Sequence, residues 1–368
     1  MVSFFLVVFY IAVGVQCMYY VLFTSPLFFK KKKCDLSTIP ISVIICAKNE
    51  AVNLRSFLPS IIKQNYKGSF EIVVINDRST DETAEVIDEF SKTYDCIKVV
   101  TINDCESFWG NKKYALTLGI KAASHEHLLF TDADCKPKND HWIQEMASNF
   151  SDSKRIVLGY GGYQKVKGSF LNKIIRYETI LTAVQYFSYA KIGLPYMGVG
   201  RNLAYTKTDF FKVNGFIKHV DIKSGDDDLF INEVASSKNT TFNLEKESFT
   251  ESVPKLSLKE WIIQKRRHIS TASHYKTKHK AALGLFYISQ IVFFILAVLL
   301  LIITEEKEAI FLLISIRYLI VLISLGMFSS KLLEKDLIIF LPFTEIILIF
   351  LQLYIYLKNK TAAPVQWH

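Results

Sequence analysis

The sequence predicts an α/β domain built on a twisted parallel sheet and held to a membrane at both ends. Three observations carry that prediction. Short β-branched runs alternate with helically patterned segments from residue 41 to residue 150, the mark of βαβ units. The chain opens on a stretch with no charged residue, Met1 to Phe29. Three further apolar runs close it. The composition agrees: half of the 368 residues are hydrophobic, only 21% are charged, and 44 Lys and Arg face 35 Asp and Glu for a net charge of +9. That balance excludes a disordered chain, which needs low hydrophobicity and high charge.

The first run is long enough to cross the hydrocarbon core, which takes about 20 residues. Lys30 to Lys33 follow it directly. A cleaved signal peptide would carry its charges ahead of the apolar run, so the sequence reads as an uncleaved anchor over 1–29. The positive-inside rule then places the following domain, 36–255, in the cytoplasm. Within it Ile41–Cys46, Phe70–Ile75, Ile97–Ile102 and His127–Thr131 read as strands. Glu50–Lys63, Asp81–Lys92 (with Thr80 as its cap), Lys112–Ala123 and Asn139–Phe150 read as helices. The six cysteines, Cys17, Cys34, Cys46, Cys96, Cys105 and Cys135, form no C-x-x-C pair. They suggest reduced thiols rather than zinc ligands or a disulfide framework.

Ligands of such sheets bind beyond the carboxyl ends of the strands, and polar residues gather there. Ala47-Lys48-Asn49-Glu50 follows the first strand, Asn76 to Asp81 the second, and Asp132-Ala133-Asp134 the fourth. One such acid usually caps a turn; three strand ends together point to a site. Two carboxylates at i and i+2, where a buried strand opens into a loop, can share a hard cation. Mg²⁺ or Mn²⁺ would keep positions open for substrate phosphates and stabilise a leaving diphosphate.

The set ISVIICAKNE, VVINDRSTDET, GNKKYALTLGI and LLFTDADCKP resembles, in order and distance, the nucleotide-binding half of the inverting family 2 glycosyltransferases. The resemblance covers roughly residues 40 to 140. It implies the GT-A fold, a Rossmann-like mixed sheet, and a nucleoside-diphosphate-sugar donor. It implies that Asp77 reads the base, that Lys112 lies near the diphosphate, and that Asp132 and Asp134 hold the metal and nucleotide-sugar. Glu50 falls beside the nucleotide on the same grounds.

Met197 to Tyr205, with Gly200, Arg201 and Asn202, resembles the family's acceptor-side loop; a plain strand start is the simpler reading. Asp226-Asp227-Asp228 follows Gly225. Acids favour helix N-termini, but three like charges together should raise one pKa, which suits a general base. The resemblance assigns that base to Asp227, with Asp226 and Asp228 as competitors. Gln264-Lys265-Arg266-Arg267-His268 resembles the Q-x-x-R-W element of membrane-embedded members: Gln264 and Arg267 match, and His268 stands where Trp is usual. The segment 256–280 is also rich in Lys and Arg beside Trp261, Ile262 and Ile263, so it reads as a helix on an anionic bilayer surface.

The last apolar runs are Ala281–Thr304, Ala309–Ser330 and Leu337–Leu357, within 281–357. The acidic loop at Glu305, Glu306 and Glu308 belongs outside, and Lys331 and Lys335 inside. Lys358 and Lys360 then pull the end of the last run inward, against the outward exit that three full crossings require. Arg317 and Glu345, alone in their runs, should pair, since an unpaired charge at such depth costs at least about 2.5–3.5 kcal/mol.

The sequence thus predicts a multi-pass, membrane-bound inverting transferase, its partners the donor, a lipid-linked or glycan acceptor and the lipid bilayer. A processive polysaccharide synthase is the alternative, though His268 and only three C-terminal runs tell against it. A nucleotide-binding transporter or receptor is disfavoured by the presence of every acid the chemistry needs. Nucleic acid is not an expected partner, because the basic clusters flank apolar runs.

Overall fold

The computed structural model describes residues 2–29, 38–102 and 112–361. The lysine cluster at 30–33, Cys34, Cys105 and the first two residues of the GNKKYALTLGI motif lie outside them. Strands β1 (Ile41–Ala47), β2 (Phe70–Asp77), β3 (Ile97–Ile102) and β4 (His127–Asp132) form a parallel array in the order β3-β2-β1-β4. Their register puts Ala47 beside Asn76 and Cys46 beside Asp132, so all the polar loops open at one edge. All seven residues of β1 are buried, as expected of a strand covered on both faces.

Helices α2 (Ala51–Ile62), α3 (Thr83–Thr93) and α4 (Lys112–Ala122) connect the parallel strands. The short β5 (Cys135–Pro137) follows β4, and α5 is confined to Trp142–Ala147, shorter than its sequence pattern suggests. Thr80 does not cap α3: its N–H and hydroxyl point to Asn49 Oδ1, and the Asp81 carboxylate takes the Thr83 N–H and hydroxyl instead.

The parallel sheet expected from βαβ alternation is completed by strands of other sense. β6 (Ile156–Leu158), β8 (Leu203–Thr206) and β9 (Thr240–Phe242) extend it in the order β4-β8-β6-β9, with β8 antiparallel to both neighbours. A second sheet joins β5, β10 (Thr250–Ser252) and β7 (Gly161–Tyr163). The sheet is therefore mixed.

Between β7 and β8 lies α6 (Phe170–Lys191), 22 residues buried around most of its circumference. It has little amphipathic pattern because the sheet covers one side and the membrane helices the other. Short α7 (Lys207–Lys212) and α8 (Asp228–Val234) complete this half. Beyond them come α9 (Leu258–Thr271), α10 (Thr277–Ile303), α11 (Lys307–Lys331) and α12 (Leu341–Thr361), the last preceded by a 3₁₀ turn at Lys335–Phe340.

With α1 (Val2–Phe23), the described residues include four helical segments long and apolar enough to cross a membrane. α1, α10 and α11 pack on one another through Phe9, Ala12, Phe293, Leu300 and Ile310. Their domain-side ends share one core with the sheet: Tyr20, Phe23, Val321, Leu325 and Phe328 join Ile44, Ile75 and Tyr177.

Arg317 and Glu345 do pair. Arg317 NH1 donates to Glu345 Oε2 at 3.1 Å, and its NH2 donates to Oε1 and to Gln16 Oε1, the latter at 3.0 Å. Tyr20 and Gln290 donate to the same carboxylate at 3.2 and 2.8 Å. Each charge is thus met by hydrogen bonds as well as by its counter-ion, the condition for keeping an ion pair out of water.

Candidate active site

The loops after β1 and β2 are stitched together at the open edge of the sheet. Asn49 (φ 57°) and Arg78 (φ 51°) both adopt the left-handed conformation there, uncommon for non-glycine residues. The Asn49 N–H donates to Ser79 Oγ, the Glu50 N–H to Thr83 Oγ1 and the Ala51 N–H to Asp81 Oδ2. This wall carries Asp77, whose side chain is fully buried. Arg78 turns back and donates twice to Asp77 Oδ1, at 2.9 and 2.7 Å. Asp77 Oδ2 has no partner among the described residues. A buried acceptor left open is costly, and this one lies at the strand end. Glu50 stands beside this wall, its carboxyl pulled up by burial and, secondarily, by Asp134 and Asp132, while Asn53 donates to it at 2.5 Å.

Lys112, at the start of α4, reaches across to Asp132 Oδ1 at 2.7 Å and to Asp226 Oδ2 at 3.5 Å. It bridges the acids of β4 to those before α8. One cleft is lined by Cys46, Lys112, Asp132, Gly200, Asp226 and Asp227. Burial works against the Asp132 charge, yet Lys112 holds the carboxyl below its ordinary range; Asp134 goes up, through burial and the Asp132 charge beside it.

Ligand atoms of Asp132, Asp134 and Cys135 all lie within 4.8 Å of one another. The Cys135 thiol faces Ser252 Oγ at 2.8 Å, and burial pushes it well up, so it is not a thiolate. Two partly buried carboxylates, one destabilised by the other, suit a hard divalent cation. The residues fit the metal reading.

Arg201 flanks these acids. Its Nε donates to the Gly161 carbonyl at 2.9 Å and its guanidinium lies 4.5 Å from the Tyr163 ring centre. Gly161 permits this: a Cβ there would fall 2.5 Å from the Arg201 side chain. Asn202 does not face the cleft. It is fully buried, its amide accepting from Trp142 Nε1 and donating to the carbonyls of Tyr160 and Ser248. It braces the loop instead of touching an acceptor.

The acidic triplet divides by role. Asp226 faces Lys112. Asp228 accepts from the hydroxyls of Thr271 and, at 2.6 Å, Tyr275; it ties α8 to the end of α9 and is spent on that bond. Asp227 lines the cleft and accepts the N–H groups of Gly200 and Asp228, each at 2.7 Å. Burial, then the charges of Asp226 and Asp228, push its carboxyl up to about 7. Gly225, at φ +93°, makes the turn that presents the triplet.

On α9, Lys265 pairs with Glu178 of α6 at 2.6 Å, and Gln264 is half-buried one turn before His268. Arg267 lies within electrostatic reach of Asp132, and His268 within reach of Arg201 and Lys112. The His268 imidazole keeps an exposed surface, but the enclosing protein, followed by the charges of Lys265, Arg267, Arg201 and Lys112, holds its pKa well below the usual range. Arg201 and Arg267 in turn favour the Asp132 charge.

Some site residues have no sequence signal. Thr271 and Tyr275 are known only through Asp228. Lys113 donates to the carbonyls of His219 and Ile222, pinning the segment before the acidic triplet.

The chain is similar to known proteins in sequence and in fold. Residues 42–207 match the profile described as Glycosyl transferase family 2. The chain is 32% identical over 125 residues to glycosyltransferase AglE of Haloferax volcanii, covering 33% of this chain and 40% of that protein. It is 34% identical over 124 residues to a 4,4'-diaponeurosporenoate glycosyltransferase of Staphylococcus haemolyticus (33% and 32%). It is 34% identical over 148 residues to a poly-beta-1,6-N-acetyl-D-glucosamine synthase of Staphylococcus epidermidis (39% and 34%). The chain thus spans at most 40% of the length of these curated relatives. Among solved structures, the mannosyltransferase PcManGT of Pyrobaculum calidifontis, in complex with GDP-Man and Mn²⁺, superposes with a TM-score of 0.58 at 16% identity, covering 94% of this chain and 97% of that one. That likeness is one of fold.

Proposed function

We propose that the chain, which matches the family 2 glycosyltransferase profile over residues 42–207, shares the fold of a GT-A mannosyltransferase and carries four apolar helices, is a family 2 glycosyltransferase that moves a sugar, with inversion, from a nucleoside-diphosphate-sugar to a lipid-linked or glycan acceptor at the cytoplasmic membrane face. The observation that carries this reading is Asp227: a carboxylate with its pKa at about 7, in the same cleft as Lys112 and Asp132. A base poised near the working pH is the arrangement that general-base catalysis favours.

Asp77, with its open Oδ2, accepts a donor from the nucleotide base, and Glu50 stands beside the nucleotide. Asp132 and Asp134 would hold a divalent cation such as Mg²⁺ or Mn²⁺, which would supply positive charge against the departing diphosphate. Asp227 takes the proton of the acceptor hydroxyl. That oxygen bonds to the anomeric carbon from the face opposite the diphosphate, and the bond from carbon to phosphate oxygen breaks. Lys112, Arg201 and Arg267 surround the space in which the released charge develops, and such fixed charge is the main source of stabilisation in sites of this kind. His268, neutral at its lowered pKa, adds a hydrogen-bonding edge without another charge.

A donor screen on the protein in lipid tests this. Nucleoside-diphosphate release is measured for a panel of nucleotide sugars, with and without a lipid acceptor. One donor should respond, and acceptor should raise its turnover. Binding of a donor with no release under any acceptor would refute the catalytic reading. The likeness to a polysaccharide synthase favours one second reading, processive elongation, which the same assay detects as a ladder of products in place of a single addition.

A further inference from the structure

We propose that α12 does not cross the bilayer: it dips into the leaflet facing the catalytic domain and returns, with its outer face seated among the acyl chains of that leaflet. Charges flank both its ends, Lys331 and Lys335 before it and Lys358 and Lys360 at its close, so loop charge alone cannot choose between crossing and return. The contacts at its two ends do.

At the start, Asp336 accepts from Lys165 and from Arg176, each at 2.7 Å, and Arg176 also holds Glu334. The Lys173 ammonium lies 3.7 Å from the Phe340 ring centre. Lys165 belongs to the segment between β7 and α6; Lys173 and Arg176 belong to α6. At the close, Arg266 Nε donates to Asn359 Oδ1 and Asn359 Nδ2 donates to the Arg266 carbonyl, both at 2.9 Å. Arg266 is on α9, and its neighbour Lys265 is paired to Glu178 of α6. One catalytic-domain helix thus holds both ends, through Arg176 and, two residues on, through Glu178.

From Leu341 to Asn359 an α-helix advances about 27 Å, close to the ~30 Å of a hydrocarbon core. An upright α12 would carry Asn359 to the far face, a full core thickness from Arg266. The reciprocal bond requires the helix to lie over. Its neighbours agree: α12 rests mainly on α6 and α9, while α1, α10 and α11 pack with one another. The ion pair with Arg317 marks how far the segment dips. Glu345 lies one turn into α12 and meets Tyr20, itself one turn from Phe23, whose carbonyl takes the Ser188 hydroxyl of α6.

The free side of the segment is a single stripe, Ile339, Phe343, Ile346, Phe350, Leu353 and Leu357, repeating every three to four residues and open on the outside. The opposite side, with Leu341, Leu348 and Ile355, is buried against protein. Phe343 and Phe350 are each 67% exposed, far more apolar surface than a water-facing helix tolerates in one stripe. The stripe ends where Lys358 and Lys360 lie 5.3 and 4.8 Å from the rings of Tyr354 and Tyr356, amphipathic tips suited to the headgroup level. The chain then crosses three times, by α1, α10 and α11, and residue 361 is on the catalytic side.

The test is relative sidedness in sealed vesicles of the full chain. One epitope follows the last residue and another is inserted between Glu305 and Glu306. In vesicles that present the catalytic domain outward, protease should remove the terminal epitope and spare the one at 305–306. Protection of both epitopes, with the catalytic domain cut, would overturn the proposal. Because a tag can drag a helix, single cysteines at Lys335→Cys, Lys360→Cys and Glu305→Cys repeat the test with a membrane-impermeant maleimide, read as labelling above the parent chain. Positions 335 and 360 should label from one side and 305 from the other; labelling of 360 together with 305 overturns the proposal independently of the tags.

Discussion

Asp227→Asn should flatten the pH dependence of stability and cripple turnover, and the structure fixes the pH range of both effects. The folded carboxyl titrates near 7, raised by burial and by Asp226 and Asp228, against about 3.9 for an exposed Asp. Between pH 4 and 7 the folded chain therefore holds a proton that the unfolded chain has lost. Stability must fall as pH rises through that window and level off above it. The full shift corresponds to at most ~4 kcal/mol, less where solvent reaches a carboxylate that is only partly buried. At ~2 °C per kcal/mol in a chain this large, the upper bound on Tm is ~8 °C. Asp227→Asn removes this slope, so its Tm should stay level where that of the parent falls; because the amide offers one acceptor oxygen to two N–H groups, the variant is also lowered by an offset that does not depend on pH. Turnover of the parent should rise through the same pH range, with only about a tenth of the base deprotonated one unit below its pKa. The variant should lose about 10²- to 10⁴-fold while donor affinity holds. Thermal unfolding from pH 4 to 8, paired with diphosphate release, measures both. Parallel Tm profiles for parent and variant would show that Asp227 is not raised, and normal turnover would remove it as the base.

Asp134→Asn should abolish both divalent-metal dependence and most turnover, since Asp132 alone leaves a one-carboxylate site; full activity in excess chelator would refute the metal assignment. Asp77→Ala should weaken nucleotide binding about tenfold, a change of ~1.4 kcal/mol, with little effect on turnover at saturating donor; unchanged affinity by calorimetry would show that the open Oδ2 does not meet the base. Arg317→Leu and Glu345→Leu should each destabilise the protein by about 3–5 kcal/mol, and the double variant by less than their sum, because removing one partner strands the other. Additive losses in unfolding from detergent would show that the pair is not coupled.

The parallel half of the fold was legible because its signals are local. β1, β2 and β4 run only one or two residues past their β-branched runs, and β3 matches its run. The rest is held by partners distant in sequence. β6, β7, β9 and β10 have three residues each, too short for a periodicity to register. α6 escaped because a helix covered on both sides has no polar stripe to betray it. In the site, the acids at strand ends were visible as residue types, and the structure brings Lys112, Asp132, Asp226 and Asp227 into one cleft. Their division of labour was not visible. Nothing in a run of three aspartates says that the third is spent on Thr271 and Tyr275, 43 and 47 residues away, or that Asn202 turns inward to Trp142.

The shared core has a practical consequence for anyone wishing to study the catalytic half alone. Tyr20, Phe23, Val321, Leu325 and Phe328 are buried in the same cluster as the strands, with α6 as the floor between them. A soluble fragment cut at residues 36 and 255 would keep the strands and the cleft but lose α9, the roof over α6 and the Thr271 and Tyr275 hydroxyls that Asp228 holds. It would expose an apolar slab in water and should aggregate or need detergent, even though no membrane-crossing residue remains in it. Membrane attachment in this chain is thus part of the folding unit, and reconstitution has to begin from the whole polypeptide.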